Sequence, residues 1–174
     1  MKKILFINGY KGVPDFFIDL KNELDNLNFE VKILNLDIHE NARFNKWVKQ
    51  LSDIDCVIDE NTIIIAHLLG NPFIIKYISK YCLKAFMYIG INPFSNIYET
   101  TTHDINISIL STHPTLEDLE YFNKSVKHIY TLNITDNNVI PDEILNRHKD
   151  NIKGTYLELD SLNIKDKVID LIKK

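Results

Sequence analysis

The stretch Thr62-Ile63-Ile64-Ile65-Ala66-His67-Leu68-Leu69-Gly70 decides the fold. From Thr62 to Ala66 it is a continuous, largely β-branched apolar run, and such side chains, stiff at χ1, suit a pleated surface. A strand without polar alternation is covered on both faces, so it belongs at the centre of a sheet between layers of helices. Just beyond it, Pro72 sits in the first turn of a helix reaching about Tyr81. Proline is tolerated there because the N–H it lacks would have had no intrahelical partner.

The alternation continues in both directions, as βαβ units around a parallel sheet require. Upstream, a strand over about Lys3–Asn8 precedes a helix from Phe16 to Leu27 with Phe17, Leu20, Leu24 and Leu27 along one face. A strand at Glu30–Leu34 and a helix around Phe44–Ser52, with room to continue to Val57, come next. Downstream, strands are expected at Ala85–Ile91, His128–Ile134 and Gly154–Leu159, and helices at Pro114–Val126, Pro141–His148 and Ile164–Lys173. Thr115 is placed to cap its helix, with Glu117, Asp118 and Glu120 near the positive end of the dipole. Asn92–Leu110, rich in Thr, Asn and Ser and without a clear period, reads as a long loop over the sheet's carboxyl edge. No repeat or linker interrupts the pattern, so residues 1–174 form one α/β domain, a doubly wound sheet of about six mostly parallel strands with helices on both faces. Ligands on such sheets bind beyond the carboxyl ends of the strands. The loops to inspect therefore begin at Asn8, Ala66, Ile91, Ile134 and Asp160.

Composition narrows the function classes. The chain of 174 residues has 45% apolar and 25% charged residues, and its formal charge of -4 offers no broad attraction to nucleic acid or to an anionic membrane. Ile4-Leu5-Phe6-Ile7 is too short for the apolar core of a signal peptide and reads as the first strand. Cys56 and Cys82 lack CxxC spacing and sit beside apolar runs, so buried free thiols in a reducing, cytoplasmic setting are expected.

Ala66-His67-Leu68-Leu69-Gly70 lies between a buried strand and a helix, the setting of the G-x-S-x-G nucleophile elbow, whose outer positions must be small because strand and helix pass closely. Ala66 and Gly70 meet that need; Leu68 stands where the serine would be. On these residues the chain resembles the small serine hydrolases of the YdeN and retinoblastoma-binding-protein-nine type, within the α/β-hydrolase superfamily. Asn8-Gly9 is similar to the family's His-Gly after the first strand, and Phe16-Phe17 with Leu20-Lys21-Asn22-Glu23-Leu24 to its aromatic-rich first helix. Thr62 to Gly70 resembles the T-I-I-I-G-H-S-x-G elbow, with His67 retained, and Thr135-Asp136-Asn137-Asn138-Val139-Ile140-Pro141 the loop that carries the triad aspartate. The resemblance implies an α/β-hydrolase-like sheet of order 2-1-3-4-5-6 and assigns the triad positions to Leu68, Asp136 and Ser161, the last within Asp160-Ser161-Leu162-Asn163, where the family has Gly-His-Phe. It also implies an oxyanion loop near Gly9, with backbone N–H donors from Tyr10 and Leu69.

Leucine has no lone pair to attack a carbonyl, and the histidine base is missing too. Loss of triad members leaves roughly 10³–10⁴-fold catalysis over water, far below a working enzyme. The bend itself, with φ above zero at Leu68, is expected to persist because Ala66 and Gly70 still permit the tight crossing. His67 reads as structural or as a replacement base; Asp136 as a cap for its turn or the helix near Pro141, or as a ligand-binding group; Ser161 as a hydrogen-bond donor to Asp136. Ser111-Thr112-His113 places a nucleophile beside a base, but adjacent loop residues rarely face each other. Gly9-Tyr10-Lys11-Gly12 lacks the spacing of a phosphate loop, and His39, His103, His113 and His128 are scattered without metal-ligand spacing, so no cofactor or metal is expected.

Three functions fit these residues: a catalytically degenerate hydrolase that binds a small molecule or a protein partner, an active ester or amide hydrolase with an altered site, and a complex-forming subunit whose pocket is filled. A monomer or homodimer is expected in each case.

Overall fold

The computed structural model describes residues 2–9, 13–38, 43–93, 113–136 and 142–174. Six strands form a single parallel sheet: β1 (Lys3–Gly9), β2 (Glu30–Asn35), β3 (Thr62–Leu68), β4 (Ala85–Ile91), β5 (Val126–Ile134) and β6 (Thr155–Leu159). Their order is β2-β1-β3-β4-β5-β6, as expected, and every adjacent pair runs parallel. The helices are α1 (Asp15–Asn26), α2 (Phe44–Asp53), α3 (Gly70–Lys80), α4 (Leu116–Ser125), α5 (Asp142–Asn151) and α6 (Ile164–Ile172).

Two apolar layers sandwich the sheet. Ile4, Phe6, Ile63, Ile65, Met87 and Ile89 pack against α1 and α6 on one face. Leu5, Ile7, Ile64, Ala66 and Tyr88 meet α2, α3 and α4 on the other. The alternation of these residues along β1 and β3 is the period of two of a strand covered twice. That double burial is why β1 and β3 are uninterruptedly apolar over Ile4–Ile7 and Ile63–Ala66.

Details depart from the sequence reading where polar residues are locally satisfied. β3 continues to Leu68 rather than ending at Ala66, because His67 pairs with Asn8 and Leu68 with Gly9 in the ladder with β1. The helix α3 accordingly starts at Gly70, with Pro72 in its first turn. Thr115 caps α4 in a reciprocal box with Asp118: its hydroxyl accepts from the Asp118 N–H at 3.2 Å, and its own N–H donates to the Asp118 carboxylate at 2.8 Å. α4 then passes directly into β5, which begins at Val126 rather than His128. The thiols are not buried as expected: Cys82 is exposed at the turn after α3 and Cys56 is half-buried. Residues 94–110 of the expected rim loop, and Asn137–Pro141 of the aspartate loop, lie outside the described residues.

Candidate functional site at the carboxyl rim

The bend after β3 takes a single residue, Leu69, before α3 begins. Leu68 has φ of 47°, the left-handed region the elbow requires, and Leu69 is already helical at φ -62° and ψ -16°. Steric closeness explains the small neighbours. A Cβ on Gly9 would come within 2.2 Å of the Gly70 nitrogen, and one on Gly70 within 2.4 Å of the Ile7 carbonyl oxygen, both backbone atoms that cannot step aside. β1 and the first turn of α3 therefore meet backbone to backbone.

A buried clamp fixes the conformation. The Asn71 side-chain amide donates to the Leu68 carbonyl at 2.9 Å and to the Ile91 carbonyl at 3.2 Å, while its own oxygen accepts from the Tyr88 hydroxyl at 2.6 Å. Burial raises the Tyr88 phenol well above its ordinary pKa, so it stays a neutral donor. Gly90, two residues on from Tyr88, leaves room for that hydroxyl, since a Cβ there would lie 2.4 Å from the oxygen. The next strand end is also bent to positive φ, at Asn92, whose side-chain oxygen accepts from the Ile134 N–H at 2.9 Å. Asn71 thus ties the ends of two central strands together, and Asn92 ties the second to a third.

Leu68 fills the elbow rather than presenting a group: it is 6% exposed. Beside it on β3, His67 faces the opposite side of the sheet, where its ring meets Phe16 and Phe17 edge-on and its Nδ1 lies 3.0 Å from the Asn8 side-chain oxygen. The Asn8 amide in turn donates to Asn35 at 2.7 Å. Asn35, Asn8 and His67 are consecutive neighbours across β2, β1 and β3, so one polar row crosses the sheet just below its rim. Burial pushes the His67 pKa down to about 4, leaving the ring neutral with the Nδ1 proton on Asn8. Its visible work is to satisfy that row between two phenylalanines.

Asp136 and Ser161, expected from the resemblance at the other two triad positions, meet at the far end of the rim. The Ser161 hydroxyl donates to Asp136 Oδ2 at 2.5 Å and the Ser161 N–H to Oδ1 at 2.9 Å, so both carboxylate oxygens are engaged. These bonds, the hydroxyl's first, hold the exposed Asp136 carboxyl below its ordinary range. Serine here is a donor to the acid, not a base. Asp136 therefore joins the end of β5 to the turn before α6, and its alternative as a cap for the helix near Pro141 falls on residues outside those described.

Tyr10, one of the two expected anion donors, and Ser111 and Thr112 also lie outside the described residues. Gly9 and Leu69 are placed together at the elbow. Among the described residues no group of three or more His, Cys, Asp or Glu side chains could hold a metal ion. A hydroxyl–imidazole pair that the sequence did not suggest lies deeper: Thr131 Oγ1 is 3.2 Å from His148 Nε2, with both residues buried between β5 and α5. No spacing rule finds such a pair, because its members come from different elements. For the Asn71–Tyr88 pair the sequence holds one signal, a polar residue in the first turn of a largely apolar helix.

The sequence matches no protein-family model and no curated protein. Solved structures do resemble it. The ydeN gene product from B. subtilis is 21% identical over 100% of both chains, with a TM-score of 0.79. The thioesterase domain from the curacin biosynthetic pathway is 10% identical, the alignment covering 99% of this chain and 91% of that one, with a TM-score of 0.70. The Paleococcus ferrophilus monoacylglycerol lipase is 12% identical over 98% of this chain and 93% of its own, with a TM-score of 0.68. The chain has the α/β-hydrolase fold, and its structural neighbours include enzymes that cleave esters and thioesters.

Proposed function

We propose that this protein is a catalytically inert member of the hydrolase fold that acts by binding a small molecule or a protein partner at the carboxyl rim of its sheet. The observation that carries the reading is the elbow: a buried leucine with φ of 47° stands where the fold presents its nucleophile. The Asp136–Ser161 pair supports it, because a carboxylate saturated by serine has no imidazole to orient. In this reading the protein works in the cytoplasm without a cofactor, as a monomer or homodimer. No helix among the described residues is long and apolar enough to cross a membrane.

An active hydrolase would need a different nucleophile with a base in reach. Thr131 and His148 have the spacing, but both are sealed in the core, away from any substrate. Their bond satisfies two buried polar groups, which is sufficient reason for it.

A fluorophosphonate probe and a p-nitrophenyl ester test the reading directly. The native protein is expected to remain unlabelled and to show no turnover above buffer. Leu68→Ser alone should stay silent, since the base is still missing, whereas Leu68→Ser combined with Ser161→His should become labelled at residue 68. Labelling of the native chain at any serine would overturn the inert reading.

A further inference from the structure

At the opposite edge, where the strands begin, a depression of about 500 Å³ is lined by Glu60, Lys84, Phe86, Lys124, Ser125 and Lys127 among others. A fourth lysine stands at its border: Lys2 Nζ lies 3.9 Å from the centre of the Phe86 ring, which Lys127 Nζ also approaches, at 5.4 Å. Two ammonium groups on one ring are closer together than about a Debye length at 0.1 M salt, so their like charges are felt. Glu60 is engaged by Lys84 at 3.0 Å. Lys124 sits in the last turn of α4, where it offsets the partial negative charge of the helix end. Among the described residues no carboxylate is paired with Lys2, Lys124 or Lys127. This is a concentration of positive charge on a chain whose net charge is -4.

We propose that this depression binds a compact polyanion, a small molecule carrying two or more phosphate groups. Lysine is a flexible point charge that can follow a phosphate without fixed geometry, and Ser125 and Asn61, both able to donate hydrogen bonds, are among the lining residues. The Phe86 ring is already covered by cations, so the site calls for charge density and makes no demand for a stacking base. Nothing in this site depends on whether the rim is inert.

Isothermal titration with pyrophosphate at constant ionic strength tests the site. Saturable one-to-one binding is expected in the native protein, and Lys124→Ala with Lys127→Ala should weaken it by roughly tenfold or more. A second variant, Lys46→Ala with Lys49→Ala, removes the same charge from α2, no residue of which lines the depression, and should bind as the native protein does. Both variants change exposed side chains, and thermal melts confirm that each is folded. Absence of saturable binding to the native chain, or equal weakening by the distant pair, would overturn the proposal in favour of diffuse charge attraction.

Discussion

At the end of β3 the backbone bends sharply at positive φ around a buried leucine; at the ends of β5 and β6 an exposed carboxylate is held by a single serine. The first region is buried and over-determined. A non-glycine residue at positive φ costs on the order of 1–3 kcal/mol, yet Leu68 is held there by the Asn71 bonds and by the backbone contact of Gly9 with Gly70. None of these involves the Leu68 side chain. The second region is exposed and depends on one residue, Ser161, for both of its bonds to Asp136. Backbone geometry built into a core is thus independent of the side chain it displays, whereas a side-chain function is lost with a single partner.

Acid should separate the two regions most strongly. Burial lowers the pKa of His67, next to the elbow, and of His148, under β5, from 6.5 to about 4. The unfolded chain takes up these protons near pH 6.5 and the folded chain only near pH 4. Stability is therefore complete above the first value and is lost progressively towards the second, by roughly 3 kcal/mol for each ring. Asp136, with its carboxyl held below 3.8, has no part in that window, its contribution being lost only at more acid pH. Urea midpoints measured from neutral pH downward should fall steeply before any carboxylate effect at Asp136, and His67→Phe should remove about half of the slope. A flat profile across the window would mean that the polar row below the elbow is open to water.

Asn71→Ala strikes the elbow directly. It leaves the buried Tyr88 hydroxyl and the Leu68 and Ile91 carbonyls without their partner. A loss of about 2–3 kcal/mol in urea unfolding is expected from desolvated groups left unpaired. If the elbow were instead kept by packing alone, Asn71→Leu, which removes the same three bonds but keeps the volume, would cost far less than Asn71→Ala.

How much of this was legible follows the same division. The β-branched run at Thr62–Ile65 and the alternation around it fixed the sheet, because burial on both faces is written directly in side-chain chemistry. Gly70 announced the tight crossing, and the positive φ expected at Leu68 is found there. The clamp was not legible, since Asn71, Tyr88 and Gly90 act together only once α3 lies against β4. The end of β3 was misplaced for a related reason: a histidine looks like a strand terminator until Asn8 is known to stand beside it. The thiols misled because neighbouring apolar residues do not bury a residue in a turn.

The smallest effect belongs to the exposed pair. Ser161→Ala removes the hydroxyl donor but keeps the N–H, so Asp136 retains one of its two bonds. Its carboxyl pKa should rise towards the ordinary value, because the hydroxyl is the largest cause of the lowering. Carbon-detected NMR titration of the Asp136 side chain reads that shift, while the unfolding midpoint at neutral pH should hardly move, an exposed carboxylate being well solvated in either case. A large loss of stability would show that this loop pair, like the elbow, is anchored in the fold, and the contrast between the two regions would disappear.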